Sequence, residues 1–352
     1  MQRTRGKLSK RERAKILKRK RECRRRTITY IMAPICLVIF GILAYGFILF
    51  NRLNIYELDI NNLEISNEHA GYTNIALFGV DSREGHLLAG ALTDTIMIAS
   101  LNNQTNEVRI SSVYRDTLLK MNDGSFNKIN AAYAFGGPEQ AIATLNRNLD
   151  MDIRHFITLN FDALIDLVDL AGGVEIDVQE EEINDINGHA VDIINTTERD
   201  TWGVEHAGMQ TLNGVQAMAY VRIRSTAGGD FRRAERQRVV LEQVIHKAQS
   251  SGLPTLHNMV NTLFPQVATN FTFSELLRHA MNMRRYEVGE TTGFPLHTNP
   301  KRLEYVGLAE VAVTLEGNVR RLHEFLFDNS YYEPSERVKQ ISNDIIFLTG
   351  IQ

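Results

Sequence analysis

The residues of this chain best suited to binding an anion are six arginines that lie close together between Ala219 and Arg238. They are Arg222, Arg224, Arg232, Arg233, Arg236 and Arg238. Gly228 and Gly229 divide them into two groups, and Asp230 opens the second group. Guanidinium groups bind phosphate oxygens in a planar, bidentate geometry. Two arginine groups that converge across a pair of glycines therefore indicate an anion site.

A helix is predicted from about Asp230, because an apolar face follows at helical spacing. That face consists of Val239, Val240, Leu241, Val244 and Ile245. Asp230, Arg233 and Gln237 then fall on one stripe of the helix, with Arg236 beside it. Arg232 and Arg238 fall on other faces and are expected to meet solvent. A charged helix face that only meets solvent is the alternative interpretation of the whole stretch.

Further charged residues lie at the ends of predicted strands. Residues 74–80 form a short buried strand that is followed by Asp81 and Arg83, and a second strand, 93–101, starts with Asp94. A third strand, 108–113, ends just before Arg115 and Asp116. Ligands of open α/β sheets bind at the carboxyl ends of strands. Asp94 meets Asp81 only if their strands are antiparallel, which predicts a mixed sheet.

The elements that must position these residues alternate between strands and helices. Strands are predicted at 155–161 and 174–178, and helices at 161–170, 213–220, 254–266, 273–285 and 315–328, with another helix opened by Pro138. This alternation predicts an α/β fold, a three-layer α-β-α domain with a central mixed sheet over residues 72–330. Residues 331–352 are expected to form a C-terminal extension.

The N-terminal region predicts a membrane anchor. Residues 1–26 hold 14 Lys and Arg against two Glu, so with a net charge of −3 for the chain, the remaining residues carry −15. Residues 28–50 contain no charge and are long enough for one transmembrane helix. The basic tail, 1–27, then lies in the cytoplasm, and the domain lies outside the cell membrane after a stalk at 51–71. No nucleic acid is expected as a partner.

Other classes of site are excluded or left open by composition. Both cysteines, Cys23 and Cys36, precede residue 51, so the domain has no thiolate metal site, and the ten histidines are scattered. A G-x-S-x-G motif and a Walker A loop are both absent. Residues 179–212 are strongly acidic and contain Trp202. They are expected to form an excursion over one face of the domain, either a lid or a solvated loop.

Eight sequence blocks that occur in order resemble the LytR-CpsA-Psr family of Gram-positive cell-wall enzymes. They are NIALFGVDSR (74–83), TDTIM (93–97), YRDT (114–117), KINAAYA (128–134), GGVE (172–175), LNGVQA (212–217), YVRIR (220–224) and DFRRAERQ (230–237). The resemblance covers about residues 72–250. The chain departs from the family at Leu92, where many members have arginine two residues before the aspartate, and at Tyr114, where many have proline.

The resemblance implies a Mg²⁺-assisted phosphotransferase, with Mn²⁺ as the alternative ion. Such an enzyme takes an anionic glycopolymer (wall teichoic acid, capsule or similar) from a polyprenyl-pyrophosphate carrier. It joins the polymer to peptidoglycan, at the 6-hydroxyl of N-acetylmuramic acid. By the same resemblance Asp81 and Asp94 are the metal-linked aspartates, and Arg115 and Asp230 are the catalytic candidates. The pyrophosphate-binding set is Arg83, Arg115, Arg222, Arg224, Arg233, Arg236 and Gln237.

Three points stay open from the sequence. Asp116 and Asp230 are the candidates for the group that deprotonates the acceptor hydroxyl, although both also suit structural pairing with arginines. If water is the acceptor at the same site, the protein is a polyprenyl-pyrophosphate phosphatase. If the arginine pocket only binds its ligand, the protein is a membrane-bound regulator of cell-envelope genes. The apolar tunnel that a polyprenyl tail needs has no identifiable lining, and Met209, Met218 and Met259 are expected to be ordinary core residues.

Overall fold

The computed structural model describes residues 40–66, 69–81, 87–88, 90 and 92–352. The chain divides into two compact units, residues 1–51 and 52–352. The described part of the first unit includes a helix, α1, over residues 40–50. Within the described ranges, no helix is both long and apolar enough to cross a membrane. The predicted tail, 1–27, and residues 28–39 of the predicted span lie outside the described residues, so both stay predictions.

The second unit alternates strands and helices. Its strands are β1 (Asn54–Ile55), β2 (Tyr72–Val80), β3 (Thr93–Asn102), β4 (Glu107–Val113), β5 (Leu118–Lys120), β6 (Phe126–Lys128), β7 (His155–Asn160), β8 (Val174–Val178), β9 (Gly208–Leu212), β10 (Val267–Thr269), β11 (Glu287–Phe294), β12 (Thr298–Leu303) and β13 (Gly307–Ala312). Its helices are α2 (Ile129–Leu149), α3 (Phe161–Leu170), α4 (Ile183–Thr196), α5 (Gly214–Tyr220), α6 (Gly229–Ser250), α7 (Leu253–Leu263), α8 (Phe273–Asn282), α9 (Leu315–Phe327) and α10 (Glu336–Thr349).

A seven-stranded central sheet has the order β1-β10-β7-β2-β3-β4-β11. β7 runs parallel to β2 and β11 runs parallel to β4, whereas β3 runs antiparallel to both of its neighbours, β2 and β4. The predicted mixed sheet, with antiparallel strands carrying Asp81 and Asp94, is confirmed. β8 does not join this sheet but pairs with β9 in a separate two-stranded sheet.

Helices cover both faces of the sheet, because its strands point apolar side chains alternately to one face and the other. On one face Phe78 and Ile96 belong to a core cluster that includes residues of α2, α9 and α10. On the other face Met97 and Ala99 pack against Leu241 of α6. Residues of α3, α4, α5 and α6 form a further core cluster. The layers therefore run helix, sheet, helix, as the sequence predicts.

The predicted stalk and C-terminal extension are wrong, because both segments belong to the domain. Within 51–71, β1 pairs with β10 at the edge of the central sheet, and Leu63 is fully buried in the core. Within 331–352, α10 buries Val338, Ile341 and Ile345 in the same core cluster. Burial of an aliphatic side chain of this size contributes about 1.5–3 kcal/mol. The apolar residues that anchor both segments pack against residues far away in sequence, so local pattern does not show that they are buried.

The acidic segment 179–212 is neither a lid nor a plain loop. It contains α4, whose Ile186, Ala190 and Ile193 are spaced at i, i+4 and i+7 and are buried in the core cluster shared with α5. Trp202, in contrast, lies 75% exposed. Asp185 and Asp192 lie on the outer face of this amphipathic helix, whereas Glu182, just before it, is buried.

Candidate functional site

The connection between α5 and α6 brings the two arginine groups together. α5 ends at Tyr220, and Arg222 and Arg224 follow before the chain turns at two glycines. Gly228 has φ 95° and Gly229 has φ 48°, backbone conformations that glycine adopts without steric cost. α6 begins at Gly229, one residue from the predicted start, and places Asp230 in its first turn, where a negative charge complements the helix dipole.

Asp94 reaches the same place from the sheet because β3 carries a bulge there. Gly79 of β2 pairs with Thr95, but the next residue, Val80, pairs with Thr93, so Asp94 is the extra residue. A bulge redirects side chains and is common beside active sites. The close approach of β2 and β3 at this point also requires glycine at position 79, because a Cβ atom there would lie 2.9 Å from the Cβ of Thr95.

Two aspartates and three arginines form one ion-pair cluster. The Asp94 carboxylate contacts Nη1 of Arg115, lies 3.5 Å from Nη2 of Arg224 and lies 3.9 Å from Nη1 of Arg233. The Asp230 carboxylate lies 3.3 Å from Nε of Arg115, 3.7 Å from Nε of Arg224 and 3.4 Å from Nη1 of Arg233. Three arginines thus share two aspartates. Asp116, 3.8 Å from Nε of Arg115, adds a third carboxylate that Lys128 also pairs with, so the cluster carries an excess positive charge.

Burial and the neighbouring positive charges act most strongly on the pKa of Arg233. Its side chain is 5% exposed, and its Nε and Nη1 atoms have no hydrogen-bond partner within the described residues. Burial lowers the pKa of Arg233 to about 10, and the charges of Arg115 and Arg224 add to this effect against the pull of Asp230 and Asp94. Burial opposes ionisation of Arg115 too, but Asp230 and Asp94 outweigh it and raise that pKa. An anion with several oxygens would complete the pairing of these guanidinium groups.

An apolar cavity of about 340 Å³ opens from this cluster. Its polar border is formed by Asp94, Arg222, Arg224, Arg233 and Gln237. Its walls come from β2, β3, β7, α3, α5 and α6 and include Leu77, Met97, Ile157, Leu159, Phe161, Leu164, Leu167, Met218, Val221, Val240, Leu241, Val244 and Ile245. Arg222 lies with its guanidinium carbon 4.6 Å from the centre of the Phe161 ring, where the polar and apolar parts meet.

Four residues of α6, Arg233, Gln237, Leu241 and Ile245, recur at intervals of four and line the cavity from the cluster inward. At 1.5 Å per residue this stripe is about 18 Å long. The sequence shows the apolar half of the stripe, but the pattern of α6 does not distinguish a wall of a cavity from a packed core. Met218, expected in the core, is buried and lines the cavity, Met259 is buried, and Met209 is exposed.

Arg236 does not belong to the cluster, contrary to the prediction that it binds pyrophosphate. Its Nε donates to Oε1 of Glu182 at 2.8 Å, and both side chains are almost fully buried. Its other nitrogens donate to the carbonyl oxygen of Ile223 and to Oγ1 of Thr226. On α6, Arg236 points to the core beside α4, and Arg233 points to the cavity. Arg236 therefore fixes the loop that carries Arg222 and Arg224.

The expectation that Arg232 and Arg238 both meet solvent holds only for Arg232. The Arg232 side chain is 57% exposed and pairs with Glu235. Nε and Nη1 of Arg238 are shielded from solvent and have no hydrogen-bond partner among the described residues. Burial lowers the pKa of Arg238, and Tyr114 and Glu235 oppose that shift. The prediction for Arg238 fails because the face of α6 that carries this residue packs near β4 and β11.

Of the remaining predicted site residues, Asp81 lies at the carboxyl end of β2. Arg83 falls outside the described residues. Asp81 is exposed and follows Val80, whose backbone pairs with the residue before Asp94. In the described part of the chain, no three His, Cys, Asp or Glu side chains are grouped to hold a metal ion. Asp81 and Asp94 each follow a residue of the backbone pair Val80–Thr93. Two carboxylates so placed fit Mg²⁺, which commonly takes one or two protein carboxylates and completes its shell with phosphate oxygens and water.

An apolar cavity with a cationic entrance has the features that a site for an amphiphile with an anionic head requires. The chain matches the model of the LytR_cpsA_psr family over residues 52–300 and belongs to that family. The predicted resemblance is confirmed.

Similar proteins include the polyisoprenyl-teichoic acid–peptidoglycan teichoic acid transferase TagU of Bacillus subtilis, 29% identical over 222 residues. That match covers 60% of this chain and 64% of TagU, so the chain spans less than two thirds of this relative. Among solved structures, the protein gbs0355 of Streptococcus agalactiae superposes with a TM-score of 0.62 at 25% identity, covering 74% of this chain and 91% of that one. TagT bound to LIIa-WTA has a TM-score of 0.55 at 18% identity, covering 85% and 95%, and shows the same fold.

Proposed function

We propose that the protein is a phosphotransferase that moves an anionic glycopolymer, of the teichoic acid type, from a polyprenyl-pyrophosphate carrier to peptidoglycan. The observation that carries this proposal is the cavity, whose apolar walls end at Arg222, Arg224, Arg233 and Gln237. A polyprenyl tail fits the walls, and a pyrophosphate fits the cationic border. The relatives named as transferases support the enzyme over a regulator of cell-envelope genes.

The arginine cluster would act by positioning and by neutralising charge, which are the main contributions of proteins to phosphoryl transfer. Pyrophosphate oxygens would replace the carboxylates as partners of Arg224 and Arg233, whose pairing in the cluster is loose at 3.4–3.9 Å. Arg115, held between Asp94 and Asp230, would stabilise the charge that develops on the transferred phosphoryl group. These roles match those that the resemblance implies for Arg115 and Asp230.

Mg²⁺, or alternatively Mn²⁺, would be held by Asp81 and Asp94. A bound ion supplies positive charge to the phosphate oxygens and neutralises the two carboxylates. Asp94 also orients Arg115, so one residue would couple the ion to the arginine cluster.

Donor and acceptor both require a location outside the cytoplasm. A polyprenyl carrier is confined to the bilayer, so the predicted anchor, with tail 1–27 inside and residues 28–50 as a single span of the cell membrane, would keep the domain beside its donor. The acceptor would be the 6-hydroxyl of peptidoglycan N-acetylmuramic acid, as the resemblance implies.

The proposal is tested by incubating the full-length protein with Mg²⁺, a lipid-linked glycopolymer and peptidoglycan oligomers, and measuring the covalent adduct. Arg222→Ala and Asp94→Ala are expected to lose adduct formation, and the exposed Arg232→Ala is the matched control. Transfer by both site variants at the wild-type rate would show that the site is elsewhere. Release of free polymer phosphate without an adduct would identify a phosphatase, and binding without turnover would identify a regulator.

A further inference from the structure

The approach of the acceptor follows from the position of the cavity, if the proposed transfer is correct. In-line displacement at phosphorus places the attacking and leaving oxygens on opposite sides. The leaving polyprenyl phosphate extends into the cavity, which Asp94 and Arg233 border. Arg115 and Asp230 do not line that cavity but line an adjoining recess with Tyr114. The acceptor hydroxyl therefore has to arrive from the side of Arg115 that faces away from the cavity.

Glu310 of β13 lies beside the residues that follow Arg115. Its backbone N–H donates to the carbonyl oxygen of Asp116 at 2.9 Å, which ties β13 to the residue after Arg115. The Thr298 hydroxyl donates to Oε2 of Glu310 at 2.9 Å. Across the described residues, no Lys, Arg or His nitrogen forms an ion pair with Glu310, so Oε1 is free to accept a proton.

The two bases considered from the sequence are less suited to this step. Asp116 lies 3.2 Å from Nζ of Lys128 and 3.8 Å from Nε of Arg115. Asp230 is shared by Arg115, Arg224 and Arg233. Both carboxylates are thus already engaged by cations of the cluster.

We propose that Glu310 is the general base that accepts the proton of the acceptor hydroxyl. The acceptor oxygen forms a bond to the phosphorus that bears the glycopolymer. The bond from that phosphorus to the bridging oxygen breaks, and the bridging oxygen leaves as part of polyprenyl phosphate. The proton moves from the acceptor hydroxyl to Oε1 of Glu310.

The surroundings of Glu310 favour this role. Burial raises the pKa of Glu310, and the negative charges of Asp116 and Asp230 raise it further, against the hydrogen bond from Thr298. Tyr114 faces it as a neutral phenol, because burial raises the pKa of Tyr114 as well. Lys128 and Arg115 offset part of the charge of Asp116. A carboxylate with a raised pKa is a stronger base.

Glu310 lies after residue 300, where the family match ends. A parallel bridge between Thr117 and Glu310 joins the hairpin of β12 and β13 to the segment that follows Arg115. Family motifs therefore give no signal for this residue.

The test compares Glu310→Gln with Glu304→Gln, which changes an exposed carboxylate at the turn of the same hairpin. In the full-length protein with Mg²⁺, lipid-linked polymer and peptidoglycan oligomers, Glu310→Gln should lower kcat by about 10²–10⁴-fold, the usual contribution of general base catalysis, with the donor KM unchanged. The acidic limb of the wild-type pH–rate profile should disappear. Glu304→Gln should behave as wild type. A kcat for Glu310→Gln within about threefold of wild type, or an unchanged acidic limb, would overturn the proposal.

Formate added to Glu310→Ala separates a chemical role from a structural one. Restored turnover is expected, because formate supplies the missing base, and a folded variant that formate does not rescue would contradict the role. The outcome is also distinct from failure of the proposed function. Adduct made as fast by Glu310→Gln as by wild type refutes only Glu310. Polymer released to water by wild type refutes the transfer, and slower release by Glu310→Gln would still support the base.

Discussion

Arg236→Met tests whether α6 divides its arginines between the fold and the site. Arg236 and Glu182 are each 5% exposed, and their ion pair joins α6 to the start of α4. Methionine fills similar space but leaves the Glu182 carboxylate buried without a cation. Removing one partner of such a pair costs about 3–5 kcal/mol. Two further hydrogen bonds, to Ile223 and Thr226, are lost with it.

The expected result is a large loss of stability. At about 2 °C per kcal/mol for a domain of this size, Tm should fall by roughly 6–10 °C. Glu182→Met combined with Arg236→Met should recover most of the loss, because an apolar pair commonly replaces a buried ion pair without cost. Thermal melting of the full-length protein measures both, with the exposed Arg232→Met as control.

The binding measurement decides between the two roles of Arg236. Any affinity lost by Arg236→Met for the lipid-linked donor should return in the double variant, because the pair acts by fixing the loop of Arg222 and Arg224. A variant with wild-type Tm and lost donor affinity would refute this reasoning. Arg236 would then be a pyrophosphate ligand, as its place beside the Arg233 stripe first indicated.

Three other changes have definite expected outcomes. Leu241→Trp fills part of the cavity, so donor affinity should fall at least about tenfold in a lipid-displacement assay while Tm is kept; unchanged affinity would show that the tail binds elsewhere. Asp94→Asn weakens the hold on Arg115 and on Mg²⁺, so adduct formation should fall by about 100-fold or more and need more Mg²⁺; an unchanged Mg²⁺ titration would remove Asp94 from the ion site. Burial lowers the pKa of His323 to about 4 from an ordinary value of 6.5, so the fold should lose roughly 3 kcal/mol as pH falls from about 6.5 to about 4. Urea unfolding across that range should show a shallower loss for His323→Gln, and parallel curves would argue against His323 as the source.

Local patterns predict five strands (β2, β3, β4, β7 and β8), the α6 helix and the mixed sheet, because these features depend on periodicity and on charges at strand ends. β2 and β3 are short apolar runs, and Asp94 can meet Asp81 only across antiparallel strands. The family blocks then identify the candidate site residues in chain order. Each of these inferences uses neighbours in sequence.

Long-range partners account for what the sequence does not show. Arg233 and Arg236 are three residues apart on one helix, and only the position of Glu182, 54 residues from Arg236, separates their roles. A cavity is equally hidden, since an apolar stripe excludes water whether it faces a void or a packed core. The segments of β1 and α10 were misjudged for a related reason: their buried apolar residues pack into a core whose other residues come from distant parts of the chain.

The four-residue spacing of cavity residues on α6 has a consequence for carrier selection. One rigid helix holds Arg233 and Gln237 at the entrance and Leu241 and Ile245 about 12 and 18 Å from Arg233 along the wall, so it would place the head group and the adjacent tail of a bound carrier as a unit. A cavity of about 340 Å³ is at the small end of ligand sites, so it would hold only the proximal part of the proposed polyprenyl chain. The distal part of that chain would contact none of the residues that line this cavity. Carriers that differ only in the number of distal isoprene units should therefore be equivalent donors, and selectivity should reside in the polymer, the pyrophosphate and the first units of the tail.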